Sequence, residues 1–435
     1  MQICTVSACG GNEENIVSQV FDNLLKENDK KPSFLLVYFS LDCDFRLLQQ
    51  FFVEKFPDVV ITGVGTDYGA FDKDILLEKE SFINTKVESV PAKSRFSVKK
   101  FAEKTQESNS KVTTFNDKKK TVFVTAFYEI YGSFGNAVCC FEEHNLRISQ
   151  KIAEASKMAN YPGVMPTMMG LFGTLSVGHG VKKEIENVYG DTIPIFGSAI
   201  NSERGNNKVF THAGVYDSDN LYVITLFYLS CDVSIQSFSP VKELGLKGEV
   251  TYMKDLELKE INNQPAADYL FKLIGEDTSA KSIEELNALA EQYREEYVIS
   301  SLEPSIYGNR AFRSSIIEGI TENRGVKTHL NLNQGDNIYL MKTVEEELFK
   351  GFMSQSNIKD RSSIIACLHI MCVSYTEGKY KKNFKENIVD KVRVYNKEYC
   401  YNVYSSGGEI GKDIEDTFVL SNFTVATVYF INRKD

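Results

Sequence analysis

The sequence predicts a protein of α/β to α+β class. Duplicated strand, helix, strand lobes, built on mixed sheets flanked by helices, are followed by a second, largely antiparallel α+β domain. Three observations predict this. Residues 34–66 and 168–200 align without a gap, because Tyr38 to Phe172 and Gly63 to Gly197 span the same interval. Each copy carries an apolar run, a polar turn, a helical stretch, a second apolar run and a glycine-containing turn. From about residue 240 the pattern changes to successive strand-like runs with few helices. At 435 residues the chain also exceeds what one hydrophobic core organises, so two domains are expected, 1–238 and 239–435.

Ile3 to Ser7 reads as the opening strand, left through Gly10 and Gly11 with Asn12 as a helix cap. Ile16, Val17, Val20, Phe21, Leu24 and Leu25 then recur at helical spacing. In the first copy Leu35 to Ser40 is a strand, Phe45, Leu48, Phe52 and Phe56 form a helical stripe, and Val59 to Thr62 is a buried strand running into Gly63. The second copy is likewise preceded by a helical face, Ile148, Ile152, Ala155 and Met158. Val209 to Tyr216 and Leu221 to Leu229 are expected to be strands joined by a polar hairpin loop, with Thr121 to Ile130 their counterpart in the first copy. Residues 86–120 are rich in Lys, Ser, Thr and Asn, lack periodicity and read as a basic, elaborated loop.

In the second half Pro265 suits a helix start, Ser282 with Glu285 forms a capping box ahead of Leu286, Leu289, Tyr293 and Tyr297, and Thr343 with Glu346 offers another box. The remaining runs read as strands: Val326 to Leu332, Asn337 to Met341, Ser363 to Tyr375, Arg393 to Tyr404 and Phe418 to Phe430.

A net charge of -10 argues against nucleic acid as a partner. Nine scattered cysteines do not form a secreted disulfide framework and read as reduced thiols. The first residues lack the basic and apolar regions of a signal peptide, and no run has the length of a membrane span. A cytoplasmic protein with no membrane span is the expectation.

No catalytic set stands out, and the chain is not expected to be an enzyme. Cys367, His369 and Cys372 resemble metal ligands in composition, but alternation along a strand sends Cys372 to the opposite face, so a core histidine with core thiols is expected and no metal. The other histidines are His144, His179, His212 and His329; of the five, His179 is singled out by its glycine-flanked turn. The two glycine turns expose backbone N–H groups beside hydroxyls at Gly63, Gly65 and Thr66 and at Gly197 and Ser198, a geometry that cradles an anion; a tight turn alone also requires glycine. Neither turn has phosphate-loop or dinucleotide-loop spacing. Glu409, expected to be exposed on a glycine loop, could meet a ligand amine or guanidinium or cap a turn, and Arg310 and Arg313 offer the opposite charge, suited to a carboxylate, or ordinary ion pairs.

In order along the chain, these segments resemble the FIST family, the F-box and intracellular signal transduction proteins. The N-terminal FIST half is represented by LLVYFSLDCDFRLLQQFFVEKFPDVVITGVGT, IPIFGSAINSERG, VFTHAGVY and LYVITLFYL, and the junction by GEVTYMKDLELKEINNQPAADYLFKLIG. NRAFRSSI, QGDNIYLM, ACLHIMC, YSSGGEIG and LSNFTVATVYF match the C-terminal half. The resemblance implies FIST N-terminal and C-terminal domains and a non-enzymatic sensory or signal-transduction module that binds a small molecule, amino acids among the family's ligands, and works through a protein partner. The basic loop and the expected lack of an output domain suggest one alternative, a scaffold or adaptor in a larger assembly; the resemblance implies another, a heme-based gas sensor, although no cofactor is expected, heme included. No F-box is expected ahead of residue 34 and no output domain after residue 430, so the output is expected to come from a separate partner or to be absent. The 86–120 loop is longer and more basic than the family pattern.

Overall fold

The computed structural model describes residues 1–66, 70–72, 76–77, 120–140, 148–174, 178–200, 207–218, 220–254, 256–304, 310–328, 330, 332–344, 347, 349–353, 358, 360–376, 384–412, 419–421 and 424–433. The expected loop at 86–120 (apart from Lys120), His144, His329, Glu346 and residues 201–205 of the second glycine segment lie outside them.

The fold is mixed α/β. It contains the two copies that the sequence repeats and a third that the sequence disguises. The first unit comprises β1 (Gln2–Gly10), α1 (Glu13–Glu27), β2 (Phe34–Ser40), α2 (Phe45–Lys55), β3 (Val60–Thr66), β4 (Ala70–Phe71), β5 (Leu76–Leu77) and β6 (Lys120–Tyr128). The second repeats that order as β7 (Ser133–Cys140), α3 (Ile148–Met158), β8 (Met168–Thr174), α4 (Gly178–Tyr189), β9 (Ile195–Ile200), β10 (Asn207–Thr211), β11 (Gly214–Ser218) and β12 (Leu221–Tyr228).

The third unit opens with β13 (Asp232–Phe238) and is then interrupted. The inserted elements are β14 (Val241–Lys254), β15 (Glu257–Ile261), β16 (Gln264–Pro265), α5 (Ala266–Leu273), α6 (Ile283–Tyr293), β17 (Tyr297–Pro304), β18 (Arg310–Ser315), β19 (Gly319–Ile320), β20 (Val326–Lys327) and β21 (Asn337–Thr343). The unit resumes with α7 (Lys350–Met353), β22 (Ile364–Cys372), α8 (Asp390–Tyr395), β23 (Cys400–Ser406), β24 (Gly408–Lys412), β25 (Val419–Ser421) and β26 (Val425–Ile431).

Strand pairing makes the threefold relation explicit. Sheet 1 runs β1-β6-β2-β3-β10-β11, sheet 2 β7-β12-β8-β9-β24-β25 and sheet 3 β13-β26-β22-β23-β4-β5. In each, the third and fourth strands are parallel and every other neighbour is antiparallel. The outer hairpin of each sheet is donated by a different unit. The second unit gives β10–β11 to sheet 1, the third gives β24–β25 to sheet 2, and the first gives β4–β5 to sheet 3. The boundary expected between residues 238 and 239 falls at the end of β13, and pairing crosses it in both directions, β4 to β23 and β24 to β9.

Burial follows from this arrangement. The inner faces share one core, with Phe34, Leu36, Tyr38 and Phe127 from the first unit, Phe172, Phe196 and Phe227 from the second, and Leu368, Ile370, Tyr404 and Phe430 from the third. The outer faces pack under helices. Leu35, Val37 and Phe39 meet Ile16, Val20, Leu48 and Phe52 of α1 and α2, and Met169 and Leu171 meet Ile152 and Ile185 of α3 and α4. Asp44 caps α2 by accepting from Arg46 and Leu47 N–H, while Asn12 caps α1 as its sequence position suggests. The inserted strands form an entirely antiparallel sheet with its own core around Val250, Leu270, Phe271 and Leu286. Its helix α6 begins in the expected capping box of Ser282 and Glu285.

Several strand expectations need correction: within Val326 to Leu332 the described residues form a strand only at Val326–Lys327, and Phe418 to Phe430 covers two strands, β25 of sheet 2 and β26 of sheet 3. Val209 to Tyr216 is a hairpin turning at His212 and Ala213, so β11 and β12 lie in different sheets. Arg393 to Tyr404 begins as the end of α8, whose Val392 packs on the third unit's outer core, and only then becomes β23.

Candidate functional site

A site with unused chemical capacity lies where the three sheets meet. The parallel pairs set Tyr38 beside Val64, Phe172 beside Ser198 and Ile370 beside Tyr404, so Val64, Ser198 and Tyr404 occupy one inward position of the threefold pattern. Their partners on the donated hairpins are Val209, Glu409 and Ala70. A carboxylate therefore occupies a place that is apolar in both other copies, and it is only 1% exposed.

Glu409 Oε2 accepts from the Thr424 hydroxyl at 2.6 Å and from the Thr424 backbone N–H at 3.2 Å. Its Oε1 is buried without any hydrogen-bond partner. Burial pushes the carboxyl well above the usual range, against the lowering effect of the two Thr424 bonds. In its neutral form the group carries either a proton with no acceptor or an acceptor with no donor, a cost that natural cores rarely accept without a use.

Around it, polar bridges cross from sheet to sheet. Tyr38 Oη and Ser198 Oγ are 3.1 Å apart, and the Tyr38 ring stacks on Tyr404 with centroids 3.6 Å apart and planes 8° from parallel. The Tyr404 hydroxyl reaches Thr125 Oγ1 at 3.2 Å, and Asn402 donates to the same oxygen at 2.9 Å. On the other side Thr62 and Thr225 hydroxyls meet at 3.0 Å, with Asn136 donating to Thr62 and to the Ile61 carbonyl. Burial raises the phenol pKa of both Tyr38 and Tyr404, so each hydroxyl remains a neutral donor or acceptor. The hairpin carrying Glu409 is pinned by Lys412, which donates to the Asp191 and Ile193 carbonyls at 2.7 and 3.2 Å and lies 3.2 Å from the Asp191 carboxylate. In sheet 1 the corresponding latch is His212 Nε2 on the Pro57 carbonyl, at 2.6 Å.

The expected site residues fall into two groups. Ser198 and Glu409 are brought together as a cross-strand pair, and Thr66 closes the same junction by donating to the Ser405 carbonyl at 3.2 Å. Gly63, Gly65 and Gly197 are not in turns. They lie within β3 and β9, Gly63 and Gly197 with ladder partners on both sides and Gly65 paired with Phe39 of β2, so they do not form a glycine turn that presents a row of N–H groups to an anion. Glycine is required there by close approach: a Cβ on Gly63 would enter the Phe210 ring, and one on Gly197 would meet the Leu171 carbonyl. Glu409 is likewise in a strand and not on an exposed loop. Arg313 is 3% exposed in β18, beside β25, and is not a hydrogen-bond partner of Glu409; Arg310 begins the same strand, and its side chain is outside the described residues.

His369 is fully buried on the outer face of sheet 3, with the Asn396 amide donating to Nε2 at 2.9 Å and Nδ1 paired with Thr427 Oγ1 at 2.8 Å. Cys367 Sγ lies 3.4 Å from Nε2, a Cys, His, Asn set in composition. Its electrostatics oppose nucleophilic catalysis, since burial lowers the imidazole to about 3 and raises the thiol. All nine cysteines are free thiols.

The sequence missed Tyr38, Tyr404, Thr125, Asn402 and Thr424. Tyr38 and Tyr404 could have been found as polar-tipped aromatics near the ends of apolar strands, Tyr404 just before a glycine pair; the others carry no sequence signal. Among the described residues no helix is long and apolar enough to cross a membrane. No protein-family model matches the chain, and no curated protein does.

Proposed function

We propose that this chain is a non-enzymatic, FIST-type ligand-binding and sensory module of the cytoplasm that acts through a separate protein partner. Its ligand is received at the three-sheet junction, with Glu409 as the group that meets a ligand amine. The single observation that carries the reading is the buried, unpartnered Oε1 of Glu409 at a position that is apolar in the two related units. An amine arriving there would supply the missing donor and draw the carboxyl into its charged form. The segments quoted for the FIST resemblance also support it, because TGVG, FGSA and YSS each lie within the fourth strand of a sheet. A junction tied together by all three donated hairpins suits a sensor, since occupancy of one site would bias the packing of every unit.

Thermal-shift measurements on the full chain against amine-bearing metabolites test the reading, with stabilisation rising with ligand concentration as the expected result. Absence of stabilisation by every compound, or equal stabilisation of Glu409→Gln, would remove it.

A further inference from the structure

A cleft of about 300 Å³ opens on the helix-covered side of sheet 1, between the C-terminal ends of α1 and α2 and the end of β6. Its floor is apolar and buried, made by Leu24, Phe56 and Tyr128, and Phe21 and the exposed Leu25 form a wall. The rim is cationic. Lys31 is occupied by Asp58 at 2.6 Å, Lys55 lies over the Phe21 ring at 5.5 Å, and Lys30 is exposed. Among the described residues Asp29 is the one carboxylate in the lining. Tyr128 supplies an independent observation: it is 5% exposed, and its hydroxyl is buried without a hydrogen-bond partner. An orphaned donor beneath an apolar cleft with lysines at its mouth is the inventory that a small amphipathic anion would complete.

We propose that this cleft binds a hydrophobic carboxylic acid of medium chain length. Its chain lies on Phe21, Leu24, Leu25 and Phe56. Its carboxylate is held by Lys30 and Lys55 and takes the hydrogen bond that the Tyr128 hydroxyl lacks. Apolar burial supplies most of the affinity and the charges supply the orientation. The site stands apart from the Glu409 junction and does not depend on the reading given to it.

Titration of the full chain with octanoate, followed by calorimetry and with octylamine as the charge-reversed control, tests the proposal. Saturable octanoate binding is expected, with none for octylamine. Loss of a hydrogen bond to a charged group weakens binding about tenfold, so Tyr128→Phe should raise Kd by that factor. The same variant should keep or raise Tm, because it removes an unsatisfied buried hydroxyl and leaves the ring in place. Lys30→Gln combined with Lys55→Gln changes only exposed side chains; it should weaken octanoate and flatten the salt dependence. Failure of octanoate to saturate, equal binding of octylamine, or an unchanged Kd in Tyr128→Phe would overturn the proposal.

Discussion

His369 and Glu409 are both fully buried ionisable side chains, one on the outer face of sheet 3 and the other on the inner face of sheet 2, and burial drives both towards the neutral form. They differ in satisfaction. Both nitrogens of His369 have partners in Asn396 and Thr427, whereas Glu409 has one oxygen served by Thr424 and one served by nothing. A neutral, fully bonded imidazole behaves as a polar core residue and fixes the packing of its sheet. A neutral carboxyl with an idle oxygen stores a cost that a ligand can relieve. The difference separates a structural from a functional buried group without reference to exposure, which is near zero for both.

The comparison breaks most severely at the latch beneath Glu409. Lys412→Ala would leave the Asp191 carboxylate and two carbonyls facing the space of a deleted ammonium, and should cost roughly 3–5 kcal/mol in denaturant unfolding. Because β24 completes sheet 2 from the third unit, the loss should appear as lower stability of the whole molecule and not as fraying of one end.

His369→Leu comes next. It strands the Asn396 amide and the Thr427 hydroxyl and should cost roughly 2–4 kcal/mol at pH 7. It also changes the acid limb of the stability profile. With a folded value of about 3 against 6.5 in the unfolded chain, His369 contributes stability that is complete above 6.5 and is lost as pH falls towards 3. The slope is about 1.4 kcal/mol per pH unit. The variant should lose this slope, and denaturation curves at pH 4 and pH 7 check it.

The lobes were legible because Leu35 to Ser40 and Met168 to Phe172 each precede a helix and a second apolar strand, a period that local sequence carries by itself. The third copy was hidden because the inserted antiparallel sheet separates β13 from β22, and because Val403 stands where Gly63 and Gly197 stand in the other two. The exchange of hairpins was invisible for a different reason. Short strands such as β4, Ala70 and Phe71, contain no information about which distant edge they join. Gly63 and Gly197 were visible as necessary glycines, but the necessity came from the Phe210 ring and the Leu171 carbonyl, contacts made only after folding, and not from a turn. Glu409 was visible as a candidate and misplaced as exposed, since a carboxylate between glycines ordinarily marks a loop.

Glu409→Gln sharpens the comparison with an opposite sign. The amide keeps an acceptor for Thr424 and removes the ionisable proton. In the parent protein the carboxyl is raised, so its contribution is complete below about 4.5 and is lost as pH rises towards the folded value. The variant should lose that decline and at pH 8 should be more stable by about 1 kcal/mol, a cost that functional groups commonly impose. Equal pH profiles for parent and variant would mean that the carboxyl ionises freely, and the contrast with His369 would fail.

The smallest effect is expected at the other latch. His212 makes the same contact to Pro57 that Lys412 makes to Asp191, from the equivalent position of a donated hairpin, but it is exposed and its hydrogen bond is to a carbonyl. Water can replace the lost bond, so His212→Ala should cost no more than about 0.5–1 kcal/mol. Measured beside Lys412→Ala, it separates the contribution of the shared geometry from that of burial and charge. If the two variants lose equal stability, the hairpin docking itself dominates and the buried ion pair beneath Glu409 adds nothing; a difference of several-fold assigns the extra stability to that buried ion pair.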